Sequence, residues 1–585
     1  MAESFIGTVQ DESMEVAGAG GSAGMRRRCM QRTDDLRSDR STWIEHWRDL
    51  NDYIHPRRFR YLGTEKNKGG KKNERIINNT ATRALRTLAS GSHAGITSPA
   101  RPWFQLTTPD PDLANYHRVK DWLYTVTERM RMVFARSNIY NALPIVYGEL
   151  GGFGTSAMFI EDDDEDVIRA YVFPLGQYFL ANSSRLQVDS CYREFSMTVG
   201  QLVQKFTPFK CSTRVRNLWK AGRYDEWIDV GHAIYPNPNQ SGRYDDNESM
   251  AYTSCWYERA SDDQHGCLGV SGFHEFPVMA PRWAVTGEDV YGYCPAMDAL
   301  GDVKTLQLLE RRKAQALDKL VNPPMRGPSS LRNGRASSLP GDVTYVDTTQ
   351  GGTTFEPAVV VPAQAIPSTN ESIRDCEKRI NATFYADLWM MMNLDERQQP
   401  STAREITERH EEKMLQLGPT LERLHDELLD PLIDRTFAIM LRKGLLPPPP
   451  QELQGMDLRV EYISIMAQAQ KILGTASIER LASFTGSLAG VDPTIMDKVN
   501  QDKLVERYAV ALGTAPDLVR DQDEVDALRA QRQKAAQISQ GIQAGVDLSK
   551  GAANLTRSDM SGDNALNRLL GTEGGGQLAP PGTPP

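Results

Sequence analysis

The sequence predicts an α+β chain: mixed strands and helices first, then two long helices bracketing a small β insert, then a helical C-terminal region. Three observations carry that reading. Residues 156–160 and 167–173 alternate apolar and polar side chains about the acidic turn 161–166, the two-residue period of half-buried strands. From Pro295, Leu300, Val303, Leu306, Leu309, Leu317 and Leu320 recur at helical spacing, and Ile373, Ile380, Phe384, Leu388 and Trp389 do so again. Between them, 325–367 is rich in Gly, Pro, Ser and Thr.

Taken in order, 1–24 is acidic and then Gly/Ala-rich, a flexible leader. Residues 33–54 read as one helix, because Leu36, Trp43, Ile44, Trp47, Leu50 and Ile54 share a face before His55-Pro56 ends it. The stretch 57–75, with Lys66, Lys68, Lys71 and Lys72 beside Gly69-Gly70, reads as a solvated basic loop. Residues 81–89 are helical, 91–103 turn-rich, 104–106 a short strand and 112–135 helical again. Thr198 with Gln201 is a capping box, in which each side chain satisfies the other residue's backbone N–H. Residues 244–283 are strand-like around Tyr252, Cys255, Trp256, Tyr257, Phe273, Phe276, Val278 and Met279.

Pro295 suits the first turn of a helix over 296–321, about 39 Å long at about 1.5 Å per residue. Strand candidates follow at 343–346 and 358–361, then a second helix at 368–390 and a polar loop at 391–400. Thr402 and Glu405 form a capping box opening a helical region to Lys443. Gly418-Pro419 and Asp430-Pro431 should kink it or restart it, with Asp430 as N-cap, and Gly444 should cap its end. After the break at 447–450, stretches 462–484, 497–512 and 517–541 read as helices, and the Gly/Pro-rich 571–585 as disordered.

Composition narrows the function. Lys plus Arg number 67 against 76 Asp plus Glu, a net charge of -9 over 585 residues, the wrong sign for a protein whose main task is gripping nucleic acid. No apolar run approaches the roughly 18 residues of a membrane span, and no secretory signal opens the chain, so synthesis in a reducing cytoplasm is expected. Seven scattered cysteines without a Cys-x-x-Cys pair predict neither a disulfide framework nor a zinc site.

Catalytic motifs are missing. There is no Gly-x-x-x-x-Gly-Lys-Ser/Thr loop to cradle nucleotide phosphates. Gly152-Phe153-Gly154 lacks the third glycine of a dinucleotide fingerprint and reads as a loop closing against a sheet. Gly91-Ser92-His93-Ala94-Gly95 has histidine where a nucleophile turn needs serine, and His410-Glu411-Glu412-Lys413-Met414 lacks the second histidine of a zinc protease. Cys255, Cys267 and His274 have no ligand spacing. No cofactor, metal or enzymatic activity is expected.

Four segments, in order and spacing, resemble the head-to-tail connector (portal) proteins of short-tailed, podovirus-type bacteriophages. The first is Leu88-Ala89-Ser90-Gly91-Ser92-His93-Ala94-Gly95-Ile96-Thr97-Ser98-Pro99 with Trp103-Phe104, departing from the family pattern at His93. The second is Gly148-Glu149-Leu150-Gly151-Gly152-Phe153-Gly154-Thr155. The third is Pro281-Arg282-Trp283, Gly287, Tyr291-Gly292 and Pro295-Ala296, continuing through 299–304 to Pro323-Pro324. The fourth is Leu417-Gly418-Pro419 with 428–433.

The resemblance implies a portal fold: leader 1–24, α/β wing 25–291, first stem helix 292–324, β-containing clip 325–367, second stem helix 368–390, tunnel loop 391–400, long wing helix 401–446, crown and helical C-terminal region 447–545, and tail 546–585. It also implies a homo-oligomeric ring, usually a 12-mer, at one capsid vertex of the virion, assembled in the host cytoplasm. Partners would be double-stranded DNA in the channel, the terminase motor, the major capsid and scaffold proteins, and tail adaptors, with no membrane. The candidates to meet DNA are Arg311, Arg312, Lys313 and Lys319 on the first stem helix and Arg397 and Gln398 in the tunnel loop. An equal reading pairs the stem charges with Asp302, Glu310 or Asp318 across subunits. Arg326, Arg332 and Arg335 of the clip are candidates to contact motor or adaptors. The alternative is a non-conducting phage tail or scaffold assembly protein.

Overall fold

The computed structural model describes residues 21–60, 70–110, 113, 116–238, 249–260, 266–327, 337, 344, 355–362, 364–391, 418–453, 458–462, 478–488, 499–512 and 522–557. They fall into two units, Met1–Gly474 and Thr475–Pro585. Ser22–Asp39 (α1) and Ser41–Tyr53 (α2) are two helices where periodicity predicts one, and α1 starts inside the expected leader. The chain turns at Arg40. Its buried guanidinium donates to the carbonyls of Tyr178 at 2.6 Å and Gly176 at 3.3 Å and lies 4.0 Å from the centre of the Phe179 ring. Contacts far along the chain therefore hold a bend that local spacing reads through.

Thr80–Ile96 (α3) continues through Gly91–Gly95, which the sequence assigned to a turn. Each glycine costs a helix about 1 kcal/mol. Full burial of Leu85 and Leu88 on the same helix outweighs that, at about 1.5–3 kcal/mol each. Phe104–Thr107 (β1), His117–Arg136 (α4) and Ile139–Phe153 (α5) follow. The glycines of α5 are helical rather than a loop, and a Cβ on Gly151 would lie 2.6 Å from Leu88 Cδ2, so any larger residue there would have to displace the Leu88 side chain.

Ala157–Asp163 (β2) and Val167–Phe173 (β3) form the expected hairpin about the acidic tip. Tyr178–Asn182 (β4) and Val188–Thr198 (β5) lead into Val199–Lys210 (α6), where both hydrogen bonds of the Thr198–Gln201 capping box are present. Thr213–Lys220 (α7), Trp227–Pro236 (β6), Tyr252–Glu258 (β7), Gly269–Phe273 (β8) and Val278–Met279 (β9) complete this half. Strands β4-β5-β6-β7-β8 make one antiparallel meander, and β3-β2-β9 a second sheet.

Pro295–Val321 (α8) is the long helix expected there. Met325–Arg326 (β10) pairs antiparallel with Glu356–Pro357 (β11), two residues before the expected strand 358–361, which is not a strand. Of 343–346, only Thr344 is among the described residues. The second long helix divides into Ala365–Thr383 (α9) and Ala386–Met391 (α10), because Tyr385 at φ 53° leaves the helical range. The Thr402–Glu405 capping box lies outside the described residues. Gly418–Leu424 (α11) passes through a π turn, His425–Leu429, into Asp430–Arg442 (α12). Asp430 is therefore inside a continuous run rather than an N-cap: Pro431 supplies no N–H and crowds the preceding turn, and a widened turn absorbs it. Gly444, at φ 67°, ends α12 with Gly444 N–H donating to Leu441 O and Leu445 N–H to Met440 O, both at 3.0 Å.

Tyr462, expected to open a helix, closes the strand Arg459–Tyr462 (β12), which pairs antiparallel with β1 from Phe104↔Tyr462 to Thr107↔Arg459. Its residues sit in the first unit. The second unit holds helices over 478–488 (α13), Gln501–Leu512 (α14) and Gln522–Arg557 (α15), the last longer than the expected 517–541. Arg529 forks Asp502 with two contacts of 2.7 Å, and Tyr508 Oη donates to Glu479 Oε1 at 2.6 Å.

Two large apolar clusters organise the first unit. One joins Trp47, Leu85, Phe153, Tyr178, Tyr291, Leu300, Val303, Ile373 and Ile380; the other joins Phe104, Val126, Phe134, Leu143, Ile160, Leu428, Leu432 and Ile433. Within the meander, His232 is buried, stacked 3.9 Å from Trp256, with Nε2 2.9 Å from Ser254 Oγ. Burial, then the nearby Arg193 and Lys205 charges, push its pKa well below 6.5. The unfolded chain thus binds a proton below pH 6.5 that the fold refuses, so stability is full above that value and falls beneath it. In urea unfolding His232 should contribute about 1.4 kcal/mol of lost stability per pH unit below the ordinary histidine value, so His232→Gln should lose less than wild type by about that slope.

Candidate functional site

The helices α8 and α9 return antiparallel through the β10–β11 link, and only the root of this hairpin is packed. Ala296, Ala299, Leu300, Val303 and Leu306 are buried on α8, against Ile373, Cys376 and Ile380 of α9. From Leu308 outward no residue of α8 is buried; Leu320 and Val321 are 52% and 76% exposed. Two polar clamps hold the root. Arg379 forks Asp302, with Nη2 at 2.8 Å from Oδ1. Gln307 Oε1 accepts from the backbone N–H of Ile77 and Asn78 at 2.7 and 2.8 Å, and Asn78 Nδ2 donates to both Glu310 and Glu377.

The basic candidates separate on this frame. At about 100° per residue, Arg312 and Lys319 share the face opposite the buried stripe, with Arg311 on one flank. Among the described residues none of these three has a carboxylate partner within the chain. Lys313 differs, reaching Glu310 at 3.3 Å. Arg326 forks Glu356 across the β10–β11 pair, with Nε at 2.9 Å. Arg332, Arg335, Arg397 and Gln398 lie outside the described residues.

A second convergence was hidden in the four motif segments. Gly154, at φ 83°, meets Gly292 so closely that a Cβ on it would lie 2.1 Å from the Gly292 carbonyl oxygen, while Thr155 Oγ1 accepts from Gly292 N–H at 2.7 Å. Arg282, 2% exposed, grips Glu427 of the π turn through its backbone N–H at 2.9 Å and its Nη2 at 2.6 Å, and also donates to the carbonyls of Asp289 and Leu186. Glu149 is wholly buried, accepting from Arg58 and from Ser156 Oγ at 2.6 Å; burial raises its carboxyl pKa and those partners oppose the rise. Thr97 and Tyr147 join hydroxyls at 3.0 Å. A cleft lined by Ser92, Ile96, Tyr147, Leu150, Trp283 and Leu421 draws on the first three segments and on α11, which the fourth opens. His93 meets Thr97 Oγ1 at 3.2 Å and the Tyr140 ring. The arrangement is a structural joint between the strand-rich half, the hairpin root and α11–α12.

A sequence model of the family described as bacteriophage head to tail connecting protein matches residues 26–519. The chain belongs to that family. All four motif segments fall within the match. A portal protein of Salmonella phage epsilon15 is 45% identical over 557 residues, 94% of this chain and 99% of the relative. A probable portal protein of Bordetella phage BPP-1 is 42% identical over 544 residues, 92% of this chain and 97% of the relative. A solved chain from the virion of a native gene transfer agent particle aligns over 75% of this chain and 90% of its own at 10% identity, with a TM-score of 0.30. The connector's role is that of a phage portal, a structural component of the virion joining head and tail rather than an enzyme. No helix among the described residues is long and apolar enough to cross a membrane.

The joint is testable. Glu427→Leu leaves Arg282 buried without its counter-ion and should cost about 3–5 kcal/mol. The double replacement Arg282→Met with Glu427→Leu should cost less than the sum of the single changes, a coupling read by a double-mutant cycle in urea unfolding.

Proposed function

We propose that copies of this chain close, head to tail, into a twelve-membered ring around a channel for double-stranded DNA, used in packaging, retention and ejection. In this reading 25–291 is the wing, 292–324 and 368–390 the stem, 325–367 the clip, 391–400 the tunnel loop, 401–446 the long wing helix and 447–545 the crown and helical C-terminal region. The observation that carries it is the α8–α9 hairpin, packed at its root and apolar yet exposed at Leu317, Leu320 and Val321. A heterologous contact whose rotation divides the circle buries such a surface between neighbours.

Arg312 and Lys319 are the preferred channel residues, with Arg311 beside them; Lys313, already paired with Glu310, is a weaker one. Arg397 and Gln398 keep the role the tunnel-loop assignment gives them. A net charge of -9 suits this task, since each neutralised phosphate adds salt-dependent affinity and so drags on moving DNA. Arg326, Arg332 and Arg335 would meet the terminase motor during filling and tail adaptors afterwards. Capsid and scaffold proteins would hold the ring at one vertex, after assembly in the host cytoplasm.

Negative-stain imaging with native mass determination should show rings near twelve copies with an open centre; a discrete assembly without a hole would instead favour a tail or scaffold role. Arg312→Ala with Lys319→Ala, and separately Arg397→Ala, should leave rings intact and slow packaging. Packaging at the wild-type rate would remove these residues from the channel.

A further inference from the structure

Three cysteines gather where α1 crosses the meander. Cys29 of α1 and Cys255 of β7 are buried, and Cys267, just ahead of β8, is half-buried. The Sγ atoms of Cys255 and Cys267 are 2.8 Å apart. That is within about 1 Å of the separation, about 2.0 Å, at which two sulfurs bond. The ladder sets the approach: Leu268 N–H donates to Trp256 O at 2.7 Å, and Cys255 faces Val270 in the β7–β8 register. Ser22 Oγ accepts from Cys267 N–H at 2.6 Å, and Cys267 Sγ donates to Ser22 O at 3.3 Å, so the same cysteine fastens the start of α1. Among the described residues no group of three His, Cys, Asp or Glu side chains is placed to hold a metal ion.

We propose that Cys255 and Cys267 are a disulfide-forming pair, open while the chain is in a reducing cytoplasm and closed by a peroxide once the particle leaves it. The two thiols are unequal. Cys267 is the one solvent reaches, and its hydrogen bonds, to Cys255 first, favour its thiolate, whereas the same contact holds Cys255 protonated. The Cys267 thiolate attacks one oxygen of hydrogen peroxide. The O–O bond breaks, hydroxide leaves and takes a proton to become water, and Cys267 becomes a sulfenic acid. The Cys255 sulfur then gives up its proton and attacks the Cys267 sulfur; the S–O bond breaks and a second water departs. Two thiols are oxidised and one peroxide is reduced to two waters. The donation from Cys267 Sγ to Ser22 O ends when the thiol ionises, so a cross-link within the sheet is gained as one tie to α1 is lost. Compartment supplies the direction, since such bonds persist outside the cell and are reduced within it.

The test treats the full-length native protein with hydrogen peroxide, then unfolds it, alkylates free thiols and maps the peptides by mass. The expected product carries a Cys255–Cys267 link, five alkylated cysteines of the seven, and reverts with dithiothreitol. Cys267→Ala should form no link while Cys255 alkylates normally, and Cys29→Ala should form the link as wild type does. Seven alkylated cysteines, a Cys29–Cys255 link, or Cys267 oxidised to sulfinic acid with Cys255 still free would each overturn the assignment.

Discussion

The placement of the α8–α9 hairpin depends on one buried ion pair. Arg282 and Glu427 are 145 residues apart, yet the guanidinium and backbone N–H of the first both bind the carboxylate of the second. Removing two charges from water is expensive, and such a pair contributes little net stability by itself. Its effect is geometric: Arg282, 2% exposed, would be a buried charge without Glu427, so the β9–α8 connection and the π turn are held in one register. The Gly154–Gly292 contact adds a steric constraint beside the electrostatic one, since neither backbone can retreat without opening the core around Tyr291 and Phe153.

Much of the fold was legible in sequence because it is written in local rules. Period two marked β2 and β3, helical spacing marked α8, and the Thr198–Gln201 reciprocity marked the start of α6. What failed was decided by distant partners. Arg40 bends the α1–α2 run through carbonyls of β4 and its approach, and α3 keeps two glycines helical because Leu88 must reach Gly151. Pro431 was expected to kink the helix or restart it, yet a widened turn carries the helix through it.

The candidate site was legible in outline. Basic residues on the first long helix could be picked out, but which of them are engaged within the chain depends on partners such as Glu310, and which share a face depends on where the packed stripe ends. The joint was present as motifs without a meaning. Glu149, Arg282 and Gly292 stand in the second and third motif segments, and one signal was available: charged residues embedded among glycines and aromatics, as in Gly148-Glu149-Leu150-Gly151 and Pro281-Arg282-Trp283, mark ions that must be buried and therefore paired. Sequence alone did not say with whom.

The hairpin has the mechanics of a beam built in at one end. Arg379 on Asp302 and the Gln307–Asn78 stitch fix its root, while among the described residues no side chain of α8 from Leu308 outward is fully buried. A sideways load at the tip is therefore met as torque at the root, where hydrogen bonds and close packing resist it. In the ring proposed above each tip would lean on the next, so stiffness there would be a property of the circle and not of the subunit.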